Sequence, residues 1–243
     1  MEEGIELKGK KHQNKVIGVL KLANNISDPS NIINFFVAFG TCTAVAVALI
    51  AKGQSSFENT FNILLSQHNE QLRRLKEHEN YENNFSSIFN LQKEYDLTEL
   101  NRNMHHLDDF FGSYFRVLYH LLKHIDKKAG YHPFDFKEKK RYTSLVRSFL
   151  DNETALLLSI NCAHAKPGNQ YYKYRCLIER YAFLEHLILD PEKFIDYIRA
   201  TRRSISSAYT LVLQAEDNFH EKLIHEIKRT YHITAFGNHE DIK

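Results

Sequence analysis

One uncharged, apolar segment near the N-terminus constrains this chain more than any other feature. No charged residue occurs between Asp28 and Lys52, and residues 35–51 read FFVAFGTCTAVAVALIA. A helix of this length spans roughly 30 Å, which is the thickness of the hydrocarbon core of a bilayer. We therefore predict one transmembrane helix over residues 31–53, preceded by a basic segment, residues 1–30, at the membrane interface. The alternative is a buried core helix, because threonine and alanine dilute the hydrophobicity of the segment.

Small side chains in the apolar segment would let a second helix approach closely. We therefore include self-association through the membrane helix, giving a homo-oligomer, among the expected interactions. The small residues are Gly40, Thr41, Thr43, Ala44, Ala46 and Ala48.

Charge and cysteine use give opposite indications for the orientation of the segment. Several lysines precede it and only Lys52 follows closely, so the positive-inside rule keeps the N-terminus in the cytoplasm and exports the rest of the chain. The three cysteines, in contrast, form no metal-binding spacing and no disulfide framework, which fits a reducing compartment and a cytoplasmic domain.

The remainder of the chain is predicted to be an all-α, bundle-like soluble domain over residues 55–233, with a flexible tail over residues 234–243. Only 9 Gly and 4 Pro interrupt sequences in which apolar residues recur every three to four positions. The pattern predicts helices over residues 55–79, 84–94, 98–125 and 137–150, a short apolar helix after the DNET cap, a helix over residues 171–189, and one or two helices from residue 192 to about residue 233.

A polar stripe lies on the most strongly patterned of these helices, where Arg116, Tyr119 and His120 follow one another at helical spacing among apolar neighbours. A buried guanidinium needs a carboxylate or carbonyl partner, and Glu153 is the partner predicted for Arg116. We interpret the stripe as part of a structural polar network rather than an active site. The predicted network comprises Arg116, Tyr119, His120, Arg147, Glu153 and Asn161.

Four stretches resemble a bacterial family of phage abortive infection proteins, the AbiC-like proteins. The stretches are FENTFNILLSQHNE (57–70), YFRVLYHLLKHID (114–126), YTSLVRSFLDNETALLLSIN (142–161) and LIERYAFLEHL (177–187), and the resemblance covers residues 31–190. The resemblance implies defence against phage by an effector that acts through protein or membrane interaction. The resemblance, together with the cysteine use, favours a cytoplasmic domain, and the one apolar segment predicts a single-pass protein of the bacterial inner membrane. The expected partners are a phage-derived trigger or a neighbouring defence protein.

The alternative function is a metal-independent ribonuclease with RNA as its partner. Helical nucleases of the HEPN type, which occur in phage defence, have four to six residues between an arginine and a histidine that acts as acid or base. Arg180 and His186 have that spacing, and Arg116 and His120 have nearly the same spacing. These four residues are the candidate catalytic groups, should the protein be an enzyme.

Cofactor and metal sites are not predicted. No phosphate-binding glycine loop, Rossmann pattern, nucleophile elbow or kinase signature occurs, so we expect no cofactor. His120 and His124 stand four residues apart near Asp126, and His105 or His106 stands near Asp109, but no HExxH or paired ExxH accompanies them. We expect these histidines to be solvated or hydrogen bonded.

Overall fold

The computed structural model describes residues 29–89, 96–128, 136–169, 171–190, 192–194, 196–197 and 219–237. These residues contain helices and turns and no strand, which confirms the predicted all-α class for the described part of the chain. The basic segment, residues 1–30, lies almost wholly outside the described residues, as do parts of the helices predicted over residues 84–94 and 192–233.

Eight α-helices and a short 3₁₀ helix are described, and they are numbered here in chain order. The α-helices are α1 Pro29–Glu77, α2 Tyr81–Ile88, α3 Leu97–His106, α4 Asp108–Lys128, α5 Phe136–Arg147, α6 Asn152–Asn161, α7 Tyr172–Arg180 and α8 Phe219–Thr230, and the 3₁₀ helix is Ile233–Phe236.

The chain divides into two compact units at Ser55 and Ser56. In the first unit, the start of α1 is the one described helix that is long and apolar enough to cross a membrane. Its large side chains are exposed to the surroundings, including Phe35 at 65%, Phe36 at 66% and Leu49 at 63%. Burial inside this protein therefore does not account for the apolar composition of the segment.

The second unit is built around α4, whose inner face is completely buried. Leu118, Leu121, Leu122 and Ile125 are all 0% exposed. This face packs on α3, α5 and α7, while α6 is buried along nearly its whole length. Asp151 caps the N-terminus of α6 by accepting a hydrogen bond from the backbone N–H of Thr154, as the DNET sequence predicts.

Three boundaries differ from those predicted. The helix predicted over residues 98–125 is two helices, because Leu107 ends α3 and Asp108 begins α4. The helix predicted over residues 171–189 ends at Arg180, and turns follow it through His186. The predicted tail begins too early, since Ala235 and Phe236 are 0% and 1% exposed and pack in the core.

Candidate functional site

A cavity of about 340 Å³ opens between α4, the C-terminal end of α6 and the start of α7. Its polar lining comes from Asp108, Arg116, His120 and Asn161, and Gly112 lies between the first two along α4. Its aromatic lining consists of Phe115, Tyr119, Tyr171 and Tyr174. The cavity is therefore an aromatic hollow with a few convergent polar groups, which is the usual composition of a small-molecule site.

Helical spacing on α4 creates the polar edge of this cavity. Asp108, Gly112 and Arg116 are four residues apart and share one face. A Cβ atom added to Gly112 would lie 2.2 Å from Oδ1 of Asp108, so the missing side chain makes room for the carboxylate. Arg116 Nη1 donates a hydrogen bond to Oδ2 of Asp108 at 2.9 Å. This ion pair is solvent-exposed, with side-chain exposures of 61% for Arg116 and 42% for Asp108.

Aromatic contacts hold the walls of the cavity. The rings of Tyr119 on α4 and Tyr174 on α7 have centroids 5.3 Å apart. Tyr171 packs on His105 with a centroid distance of 4.9 Å, and burial lowers the pKa of His105 below its usual value. Tyr171 and Tyr174 are therefore held by neighbours from α3 and α4, respectively, rather than projecting freely into solvent.

Asn161, the last residue of α6, contributes a nearly buried amide to the cavity. Asn101 on α3 fixes this helix end by donating its amide hydrogens to the carbonyl oxygens of Ile160 and Asn161, at 2.7 and 3.1 Å. The residue Asn161 itself is nearly buried, with 5% of its surface exposed. Within the described part of the chain, its amide makes one weak contact, from Nδ2 to Sγ of Cys162 at 4.0 Å.

Four of the six residues predicted for the structural network lie together at this cavity: Arg116, Tyr119, His120 and Asn161. The predicted burial of Arg116 and its pairing with Glu153 are both wrong. Oε2 of Glu153 instead accepts hydrogen bonds from Lys76 Nζ at 2.8 Å and from the Tyr81 hydroxyl at 3.1 Å. Arg116 belongs to the exposed face of an amphipathic helix, so solvent and Asp108 satisfy it.

Arg147, the fifth member of the predicted network, is buried elsewhere. Its side chain is 10% exposed and Nη1 lies 2.6 Å from Oε2 of Glu185. The same nitrogen donates to the carbonyl oxygens of Ala182 at 2.8 Å and Tyr181 at 3.4 Å. These carbonyls follow the end of α7, so Arg147 satisfies acceptors that the interrupted helix leaves without partners. The predicted network is thus three separate clusters.

Arg180 and His186, candidates for the alternative nuclease function, do not lie on one helix. Arg180 is the last residue of α7, and its Nη1 donates to Oδ1 of Asp126 at 2.7 Å. The hydroxyl of Tyr181 donates to the same oxygen at 2.6 Å. Burial acts to raise the pKa of Asp126, but these hydrogen bonds outweigh it and leave the pKa below its usual value. His186 lies at the end of the turns that follow α7, on the surface.

The weak metal candidates lie in a shallower groove beside the cavity. His120 borders both the cavity and the groove, whereas Lys123 and His124 line the groove but not the cavity. The His124 ring stacks on Phe57 at 5.0 Å, and its Nε2 lies 3.3 Å from the Phe57 carbonyl oxygen. Over the residues that the structure describes, no three or more His, Cys, Asp or Glu side chains are grouped as a metal site would require.

Sequence reasoning missed the residues that complete the cavity: Asp108, Gly112, Phe115, Tyr171 and Tyr174. A signal existed for the first two, because an aspartate, a glycine and an arginine at successive four-residue intervals share one face of a helix. The tyrosines gave no such signal, since their approach to α4 depends on how α7 packs.

Residues 106–192 match the family model described as "Putative phage abortive infection protein". The match confirms the predicted resemblance over those residues and suggests a role in phage abortive infection. It does not cover residues 31–105, where part of the resemblance was predicted. Every residue that lines the cavity lies within the matched stretch. No curated protein and no solved structure matches the chain.

Proposed function

We propose, from the match of residues 106–192 to a family of phage abortive infection proteins, that this chain is a membrane-attached effector of anti-phage defence. The effector acts through protein or membrane interaction, and its activation stops growth of the infected cell. That match is the observation that carries the proposal. The helical domain faces the cytoplasm from a single-pass anchor in the inner membrane, where it meets a phage-derived trigger or a neighbouring defence protein.

The first unit of the chain supports the membrane anchor. Most of its large apolar side chains are more than half exposed, as Phe36 and Leu49 illustrate at 66% and 63%. Contact of such a surface with water is unfavourable by roughly 25 cal/mol for each Å² of apolar area, whereas contact with lipid tails removes that cost. A helix satisfies its own backbone hydrogen bonds, so it can occupy the hydrocarbon core.

Small side chains in the anchor support self-association of the anchors of two copies of the chain. Gly40 has open space around it, because an added Cβ would meet no atom within 4 Å. Thr41 and Thr43 donate their hydroxyls to backbone carbonyls one turn earlier, at 2.8 Å each. These threonines therefore present little polarity, and the Gly40 surface is suited to close packing of a second anchor.

Phage challenge of cells that carry the gene tests the defence proposal. Cells expressing the chain should release fewer phage than cells carrying an empty vector, for at least one phage in a broad panel, with or without the neighbouring genes. An unchanged phage yield across the whole panel contradicts the proposal. Alkaline carbonate extraction tests the anchor separately, because the full-length chain should remain in the pellet.

A ribonuclease is the second candidate function, and one observation favours it: Arg116 and His120 border the same cavity. If His120 is the acid or base, His120→Ala should abolish RNA loss in arrested cells while leaving the melting temperature unchanged. The control is His106→Ala, since His106 is also exposed but does not line the cavity. Intact cellular RNA during arrest by the unmodified chain would exclude this candidate.

A further inference from the structure

We propose that the cavity between α4, α6 and α7 binds a nucleoside monophosphate, with its base among the tyrosines and its phosphate at Arg116. The binding site stands apart from the defence proposal and does not depend on whether the cavity is catalytic. Three features of the cavity carry the inference: its aromatic walls, the amide of Asn161, and the balance of charge at its mouth.

The walls favour a flat ring as the part of the ligand that enters. Tyr119 and Tyr174 have ring centroids 5.3 Å apart, and Tyr171 lines the cavity together with them. An aromatic side chain stacks on any nucleobase, because every base has a π face. The cavity volume of about 340 Å³ lies near the lower end of the range for small-molecule sites, so it suits one nucleotide rather than a chain of them.

Asn161 supplies the group that would recognise the edge of a base. The residue lines the cavity, is 5% exposed, and in the described structure its side-chain amide contacts only the weakly accepting sulfur of Cys162 at 4.0 Å. Because this amide has no conventional protein partner among the described residues, its donor and acceptor are available to a ligand in the cavity. Its oxygen accepts and its NH₂ donates, so it can pair with a base edge that presents one donor and one acceptor.

The mouth of the cavity is suited to an anion. Arg116 and His120 border it, and Lys123 and His124 continue the same surface into the adjoining groove. A guanidinium can donate two parallel hydrogen bonds to phosphate oxygens. Among the described residues that line the cavity, Asp108 is the one acidic side chain, and its Oδ2 accepts a hydrogen bond from Arg116 at 2.9 Å. An incoming phosphate must therefore displace this carboxylate.

Purified full-length chain in detergent tests the inference by isothermal titration calorimetry. The probes are the 5′-monophosphates of adenosine, guanosine, cytidine and uridine, together with the four nucleosides and inorganic phosphate. We expect at least one monophosphate to bind more tightly than its nucleoside and more tightly than phosphate alone. Equal binding of phosphate alone would reduce the cavity to an anion site and overturn the inference, as would no binding of any monophosphate.

Three variants make the test specific to the cavity. Arg116→Gln should weaken binding of the monophosphate by about tenfold or more, because it removes the charge-assisted hydrogen bonds. Asp108→Asn should strengthen binding, because it removes the group that competes for Arg116. Asn161→Ala should weaken binding of both the monophosphate and its nucleoside.

Arg141→Gln is the matched control, because Arg141 also forms an exposed ion pair within one helix, with Glu138 at 3.0 Å, but does not line the cavity. The Arg141→Gln variant should bind the monophosphate as tightly as the unmodified chain does. Equal losses in Arg116→Gln and Arg141→Gln, or weaker binding in Asp108→Asn, would overturn the inference. Circular dichroism melting of each variant distinguishes lost binding from lost folding.

Discussion

Two arginines show how burial decides what a charged side chain contributes to the stability of the fold. Arg116 holds Asp108 at the surface, with 61% of its side chain exposed. Arg147 is 10% exposed and binds Glu185 together with two backbone carbonyls. Exposed ion pairs contribute about 0–1 kcal/mol to stability, whereas breaking a buried pair leaves an uncompensated charge and costs about 3–5 kcal/mol.

Alanine substitution of the two arginines should therefore have very different effects. Arg116→Ala should lower the free energy of unfolding by less than about 1 kcal/mol. Arg147→Ala should lower it by about 3–5 kcal/mol, because Glu185 and the carbonyls after α7 lose their donor. Thermal unfolding followed by tyrosine fluorescence measures both. A strongly destabilised Arg116→Ala protein, or a stable Arg147→Ala protein, would contradict this assignment.

Apolar neighbours on both sides of Arg116 led to the incorrect prediction that it is buried. Sequence spacing correctly grouped Arg116, Tyr119 and His120 on one face of a helix, and the structure places them at one cavity. Spacing alone did not indicate which face is buried, since that depends on packing against α3, α5 and α7. Glu153 likewise pairs with Lys76, which is distant in the sequence, so spacing did not predict this partner either.

His68 should make stability depend on pH. The side chain is 0% exposed and contacts Asn69 and the hydroxyl of Tyr114 through its two ring nitrogens, at 3.0 and 3.1 Å. Burial lowers the pKa of His68, although the hydrogen bond with Asn69 opposes this effect. The unfolded chain, where the pKa is about 6.5, therefore binds a proton before the folded chain does.

The free energy of unfolding should consequently fall as the pH drops from 7.5 to 5.5, by at most about 1.4 kcal/mol per pH unit for this one proton. His68→Gln should reduce that slope, because glutamine does not titrate and can still hydrogen bond to Tyr114. His106→Gln is the control, because it replaces an exposed histidine in the same way. Parallel pH profiles for the unmodified chain and His68→Gln would show that His68 is not responsible.

The end of α7 shows what helical periodicity does not predict. The sequence LIERYAFLEHL has continuous helical spacing, yet α7 ends at Arg180 and Ala182 has a positive φ of 54°. Arg147 Nη1 donates hydrogen bonds to the carbonyl oxygens of Tyr181 and Ala182. The N–H of Leu184 donates to the carbonyl oxygen of Ala235 at 2.9 Å. These partners come from α5 and the 3₁₀ helix, so the sequence around the end of α7 does not predict them.

Gly237 should be required where the 3₁₀ helix meets these turns. Its φ is 60°, and an added Cβ would lie 2.8 Å from Cδ of Glu185, whose carboxylate is bound to Arg147. Gly237→Ala should cost about 1–3 kcal/mol from the sparsely populated positive-φ backbone alone, and more because Glu185 must move. Gly168→Ala is the control, since Gly168 also has a positive φ but open space around it. Equal melting temperatures for the two variants would contradict the contact.

At the scale of the whole molecule, the second unit should fold without the first. Its buried core draws on α2 to α8 and on the part of α1 that includes Phe57 and Phe61. Deleting residues 1–53 removes the exposed apolar side chains of residues 32–50 and leaves this core complete. The truncated chain should be soluble, helical and cooperatively unfolding by circular dichroism. Aggregation of the truncated chain without a thermal transition would show that the second unit depends on the first.

Plating efficiency of phage on cells with an interrupted anchor tests most directly the central claim that defence requires membrane attachment. Val45→Arg with Leu49→Arg places two charges within the apolar segment, each unfavourable by about 2.5–3.5 kcal/mol near the centre of a membrane helix. Val45→Leu with Leu49→Val is the matched control. We predict that the arginine variant is expressed with its second unit folded but no longer reduces phage plating, while the control protects as the unmodified chain does. Full protection by an arginine variant recovered in the soluble fraction would contradict the account.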